Sequence, residues 1–282
     1  MRYAKTTACA AGAGAAFALV GALRTRARRK LVGQVILITG VEAMIDAVGA
    51  HFGQIDILVN NAGEIMVSPF ENLDIEDFER AMAVMFWGTV YTTLAVLPSM
   101  KMRGQGRIVN VTSIGGKVSV PHLLSYSCAK AAAVAFSNGL RNEIRQFGID
   151  VTTILGLMRT GSHVNAYFKG NHVAEASWFG VAVSLPLLSL NAEHAARLAV
   201  KAVCAGKTEA VLGVPAQILL EAQTLLPGLT ADVLRLSNAL LPAGGPDESM
   251  RTGRELEDRQ GSLYSLLTAL GKRAGQRLNQ PI

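Results

Sequence analysis

No acidic residue precedes position 31 in this chain of 282 residues, although seven basic ones do: Arg2, Lys5, Arg24, Arg26, Arg28, Arg29 and Lys30. The rest of the chain carries 20 basic against 21 acidic residues, so the formal charge of +6 belongs to the N-terminus. A basic face for nucleic acid is therefore not expected. Cysteine is equally scarce. Cys9, Cys128 and Cys204 form no CxxC pair, which fits a reducing compartment and excludes a disulfide framework or a zinc site. The five histidines are dispersed, without an HExxH pair, so no metal centre is expected. Aromatic residues make up 6% and charged residues 17%, while half of the chain is apolar. That balance supports one large α/β core with extensions.

The longest uncharged stretch runs from Thr6 to Leu23, and the cluster Arg24–Lys30 follows at once. Eighteen Ala-rich residues sit at the lower edge of what spans a bilayer. Positive charge on that flank would hold the following domain on the cytoplasmic side. Residues 1–23 are thus expected to be a hydrophobic anchor and 24–33 a basic linker, with membrane contact through the N-terminus. A helix lying at the membrane surface and a cleaved signal peptide are the rival readings; the basic run immediately after the apolar segment argues against export.

Short apolar runs at Val35–Thr39, Ile55–Val59, Arg107–Val111, Ile149–Ile154 and Ala210–Val214 read as buried parallel strands. Helical patterns alternate with them: Val41–Phe52, a long helix capped by Asp74 with Asp77 at its third position, Tyr126–Phe147 ended by Gly148, and Ala192–Ala205. Strands alternating with helices imply a doubly wound parallel sheet over residues 34–215. Beyond it, residues 216–282 read as a helical and partly mobile extension. Ile218–Leu226 and Ala231–Leu241 are amphipathic, Pro242–Gln260 reads as a polar mobile linker, and Leu263–Leu270 as a short helix. The apolar faces could cover a cleft, pair with a second subunit as a homodimer, touch lipid, or pack on their own domain.

The chemistry sits at Tyr126-Ser-Cys-Ala-Lys130, with Ser113 thirteen residues upstream. A Tyr and a Lys four residues apart share one helix face. The ammonium is expected to lower the phenol's pKa, and a serine hydroxyl nearby can hold a substrate oxygen. Such a group moves a proton to or from an alcohol or ketone while a cofactor moves the hydride.

Four segments surround this group in register: Ile57-Leu-Val-Asn60-Asn61-Ala62-Gly63, Arg107-Ile-Val-Asn110-Val-Thr-Ser113, the YxxxK, and Gly156-Leu-Met-Arg-Thr160. In this order they resemble the short-chain dehydrogenase/reductase family over roughly residues 31–215, in particular its bacterial members with a hydrophobic N-terminal segment. The resemblance implies a Rossmann-like doubly wound sheet, NAD or NADP as cofactor, and a small carbonyl or alcohol substrate. It implies Tyr126 as acid/base, Ser113 as the group orienting the carbonyl, and Lys130 as the partner of the nicotinamide ribose. It further implies that Asn60, Asn61, Ala62 and Gly63 line the adenosine side and that Thr160 binds the nicotinamide amide. The residue-level alternatives are a polar network bracing the strand end for the asparagines and a helix cap for Thr160.

The same resemblance exposes departures. The family's Thr-Gly-x-x-x-Gly-x-Gly phosphate loop is reduced to Thr39-Gly40, followed directly by Val41-Glu-Ala-Met-Ile-Asp46. About 50–60 residues, on the scale of ~30 per strand-helix-strand unit, are expected to be missing, leaving the sheet shortened at one edge. Part of Val41–Ala47 is expected to unwind at that junction. The family's active-site Asn ahead of an aromatic-x-Gly is Met85 here, and its Pro-Gly is Leu155-Gly156. Beside the oxidoreductase stands the alternative of a catalytically impaired or non-catalytic scaffold, or a defective fragment of a longer enzyme.

Overall fold

The computed structural model describes residues 36–38 and 42–277. The expected N-terminal anchor and basic linker, and Thr39 and Gly40, lie outside the described residues. Five parallel strands form the main sheet in chain order: β1 (Ile36–Ile38), β2 (Ile57–Asn60), β3 (Gly106–Val111), β4 (Ile149–Gly156) and β5 (Glu209–Leu212). Among the described residues β1 is the outer strand on one side, with Ile36 beside Ile57, and β5 on the other.

Helices cover both faces, as in a Rossmann-like doubly wound sheet. α1 (Glu42–Phe52), α2 (Ile75–Arg103) and α3 (Leu124–Ile144) pack on one side. Ile45, Val96, Leu97 and Met100 meet Leu58, Ile108, Ile149 and Val151 there. A helix at Ala192–Cys204 packs on the other, where Ala195, Ala202 and Val203 meet Ile57, Val109, Ile154 and Leu212. Adjacent residues such as Leu58 and Ile57, or Ile108 and Val109, thus serve opposite cores. The two-residue period of a strand buried on both faces leaves no polar side, which is why these segments read as continuous apolar runs.

The caps follow the sequence chemistry. Asp74 accepts from the Asp77 backbone N–H at 3.0 Å while Asp77 accepts from that of Asp74 at 3.1 Å, a reciprocal capping box. α3 runs through a tighter turn at Arg145–Phe147 into Gly148, whose φ of 74° only glycine adopts without strain. α2 has the length and composition to cross a membrane, yet it buries Val96, Leu97 and Met100 against the sheet.

Three expectations are corrected. α1 is helical from Glu42 to Phe52, so residues 42–47 do not unwind. The amphipathic segments begin earlier than their patterns, at α6 (Val214–Leu225) and α7 (Pro227–Asn238), counting α4 (His172–Ser184) and α5 (Ala192–Cys204) before them. Proline opens rather than bounds these two helices, because a first-turn N–H has no intrahelical acceptor to lose. Residues 242–260 are anchored rather than loose. Arg251–Thr252 pairs with Tyr167–Phe168, which pairs with Met66–Val67; Leu256 is fully buried; and Asn72 Nδ2 donates to the Gly245 carbonyl at 2.7 Å. A last helix, α8 (Ser262–Arg277), packs on α4 and is longer than its apolar pattern.

Candidate active site

The C-terminal ends of β2, β3 and β4 converge with the start of α3. Ser113 leaves β3 and caps the turn Ile114–Gly116, its Oγ accepting from the Gly115 N–H at 3.1 Å. Tyr126 stands in the first turn of α3, beside Ser113. Gly115 packs against this pair: a Cβ on it would sit 3.4 Å from both Ser113 Oγ and a Tyr126 ring carbon. Lys130, one turn on, is buried, and its Nζ donates to the Val111 carbonyl at 3.1 Å. Gly116 lets the same loop rest on the Lys130 backbone, where a Cβ would come within 2.8 Å. The structure brings Ser113, Tyr126 and Lys130 to one end of the sheet.

The electrostatics differ from the expectation. Burial pushes the Tyr126 phenol above its ordinary range, and the Ser113 hydroxyl offsets this only in part. The Lys130 ammonium lies 5.9 Å from the phenol ring centroid. It is itself destabilised by burial, which brings its pKa down to about 8. Desolvation therefore outweighs the lysine's attraction, and the resting phenol is protonated.

Tyr126 and Ser113 open onto a cavity of about 390 Å³. Trp178, Phe179 and Val183 of α4 form one wall, and Pro215, Ala216 and Leu219 of α6 another. α6 therefore covers the cleft with one face, while Ile218 and Leu225 on the rest of its surface stay exposed. The α4 wall escapes sequence reading. Its buried face includes His172 and Glu175, while Val173, Trp178 and Val181 stand on the less buried side, so polarity does not mark the helical period.

The Asn60 side chain acts as a brace within the protein. Its Nδ2 donates to Asn110 Oδ1 at 2.9 Å and to Thr93 Oγ1 at 3.4 Å, while its Oδ1 accepts from Thr92 Oγ1 at 2.7 Å. Asn110 passes the network to Ser137 and Thr153. This buried chain ties β2, β3 and β4 to α2 and α3. Asn61, Ala62 and Gly63 lie exposed at the end of β2. Thr160 does not cap the turn Ser162–Val164, whose N-cap is Gly161.

Met85, the position of the family's asparagine, is fully buried within a π-helical segment, Ala83–Trp87, of α2. It packs in one cluster with Ala129 and Tyr126. Its sulfur lies 3.6 Å from where a Cβ on Gly63 would be, and Lys130 Nζ lies 3.4 Å from the same point. A widened turn of this kind commonly marks a functional position.

A family model described as short chain dehydrogenase matches residues 4–167, more than half of the chain. The chain belongs to this family. The match begins inside the segment read above as an anchor. Among its relatives, the Bos taurus dehydrogenase/reductase SDR family member 7B is 33% identical over 180 residues, 63% of this chain and 54% of the relative. The Mycobacterium tuberculosis putative oxidoreductase SadH is also 33% identical over 180 residues, 63% of this chain and 64% of the relative. The matched region thus falls short of two thirds of these relatives' own length. A solved structure of a short-chain dehydrogenase from Streptomyces avermitilis shares 29% identity and a TM-score of 0.59, covering 71% of this chain and 74% of that one.

The family implies a nicotinamide dinucleotide, whose ribose Lys130 would hold. Lys130 Nζ lies next to Gly63, 3.4 Å from where a Cβ on that glycine would be. Thr39 and Gly40, expected as the remnant of the phosphate loop, lie outside the described residues.

Proposed function

We propose that this short-chain dehydrogenase is an NAD- or NADP-dependent oxidoreductase interconverting an alcohol and a ketone, with Tyr126 as acid/base. The observation that carries the reading is that Tyr126 and Ser113 together line an apolar cavity, with Lys130 one helical turn from the tyrosine. With its pKa raised, the phenol holds its proton at neutral pH, the form in which it can donate one. A nicotinamide, when bound, supplies or accepts the hydride at the carbonyl carbon. In the reducing direction Tyr126 gives its proton to the carbonyl oxygen, leaving the alcohol and a phenolate. Ser113 Oγ, which accepts from Gly115, turns its single hydrogen from the tyrosine to the substrate oxygen and orients it. Lys130, charged below about pH 8, stabilises the phenolate and holds the nicotinamide ribose hydroxyls. Asn61, Ala62 and Gly63 flank the adenosine side, and Thr160 faces the nicotinamide amide. The apolar stretch 6–23 and the basic run 24–30 support a place at the cytoplasmic face of a membrane.

The test is a titration of the purified chain with NADH and NADPH, followed by nicotinamide fluorescence and melting temperature, and then by turnover of a ketone panel. Saturable binding with a raised melting temperature supports the reading. A folded sample that binds neither cofactor removes it and leaves the non-catalytic scaffold.

A further inference from the structure

Deepening that reading, we propose that the cavity takes an uncharged, largely apolar ketone or alcohol, and that Trp178, fixed by Glu175 and His122, limits its size. The first part rests on what faces the space. Its lining contains no Lys, Arg, His, Asp or Glu; the polar side chains are the hydroxyls of Ser113, Tyr126 and Ser162. A carboxylate or phosphate on the substrate would lose its hydration there and meet no cation, a transfer costly enough to exclude it. One carbonyl or hydroxyl, by contrast, finds its partners at Ser113 and Tyr126.

The carboxylate closest in sequence to that wall is turned away from the cavity. Glu175 is fully buried, with its two oxygens 2.9 and 3.0 Å from His122 Nδ1 and one of them 2.7 Å from Trp178 Nε1. Each oxygen of this side chain therefore has a partner within the protein, and the indole N–H, which would otherwise seek a polar group in the cavity, is satisfied behind the wall. His122 holds its own place by unusual means. Its φ of 62° is the left-handed conformation that few non-glycine residues adopt, and its carbonyl accepts from the Ser68 N–H at 2.8 Å. The rings of His122 and Trp178 meet edge to face at 6.1 Å, and Phe179 meets the indole likewise at 5.7 Å. Trp178 is thus held from three sides while its remaining surface forms the cavity wall. Buried polar groups arranged behind an apolar wall act on shape rather than on charge. Glu175 and His122 are positioning residues, since they reach the ligand only through the indole.

The test needs binding, not turnover, so it separates this inference from the catalytic one. Calorimetric titration of the full chain with acetophenone and with para-acetylbenzoate compares a neutral ketone with an analogue that adds a ring carboxylate. Acetophenone is expected to bind at least tenfold more tightly; equal affinities would overturn the substrate class. The W178A variant is expected to bind acetylpyrene at least tenfold more tightly than the unaltered chain, read from that ketone's own fluorescence. E175Q, which keeps the shape of the wall and removes the charge, is expected to lengthen the Trp178 emission wavelength and weaken acetophenone severalfold. Should W178A bind acetylpyrene no better, Trp178 does not set the size limit. Acetophenone binding without turnover upholds the inference while removing the oxidoreductase reading. The charge comparison uses the unaltered chain and stands whether or not W178A folds.

Discussion

The Lys130 ammonium lies 5.9 Å from the centroid of the Tyr126 ring, one helical turn away on the same face of α3. Both groups are poorly hydrated, and burial moves their pKa values apart: the phenol upward, the ammonium down to about 8. The pair is therefore protonated at neutral pH and loses its charge first at the lysine. Ketone reduction is expected to fall as pH rises through about 8, and K130M to lose that limb of the profile. The stability sign follows from the same depression. Between pH 8 and 10.5 the unfolded chain binds more protons at this lysine than the folded one, so folding gains as pH rises across that window. Below it the buried charge costs up to about 3 kcal/mol, and K130M is expected to melt higher at pH 7 than the unaltered chain. A lower melting temperature would show the ammonium to be net stabilising.

Tyr126→Phe removes the transferable proton and little else, because the ring keeps its packing against Met85 and Ala129. Turnover is expected to drop about 10²–10⁴-fold, the range for losing a positioned acid/base. Acetophenone affinity should stay within threefold, as measured by calorimetry.

Met85→Asn asks whether the thioether beside Lys130 and Gly63 limits catalysis. Burying an amide there is expected to lower stability by about 1–3 kcal/mol in chemical denaturation. If the amide reaches Lys130, kcat rises with KM little changed. An unchanged kcat in a folded variant would remove Met85 from the causes of slow turnover.

Asn60→Ala separates brace from ligand. It leaves Asn110, Thr92 and Thr93 each without a hydrogen-bond partner they now have, and a loss of about 2–4 kcal/mol is expected as the sum of two or three such deficits. NADPH affinity measured well below the melting temperature should change less than threefold. A tenfold loss of affinity with intact stability would place Asn60 in the cofactor site.

His163 gives the acid limb. It is buried beside Ser184 and Gly271, both ring nitrogens lack a partner, and burial lowers its pKa to about 4 from an ordinary 6.5. Its depressed pKa means that stability is fully present above pH 6.5 and is lost as pH falls toward 4, by about 3 kcal/mol in all. His163→Leu is expected to flatten that part of a stability–pH curve measured by urea unfolding.

The sequence by itself determined the parallel α/β class, the five strands of the main sheet, the reciprocal cap at Asp74 and Asp77, and the trio Ser113, Tyr126 and Lys130. These follow from local rules: a two- or four-residue period, an N-cap side chain, a helix turn bringing Tyr126 over Lys130. Tertiary structure alone decided three other matters. Residues 242–260 look like a polar linker because their anchoring bonds, such as Asn72 to Gly245 at a separation of 173 residues, leave no local trace. Asn60 became a brace because Asn110 and Thr92 reach it from two other elements. The Tyr126 pKa rises where the sequence implied a fall, because burial depends on how α4 and α6 close over the cleft. Spacing tells which groups are neighbours along one helix; the solvation of those groups is set by segments distant in the chain.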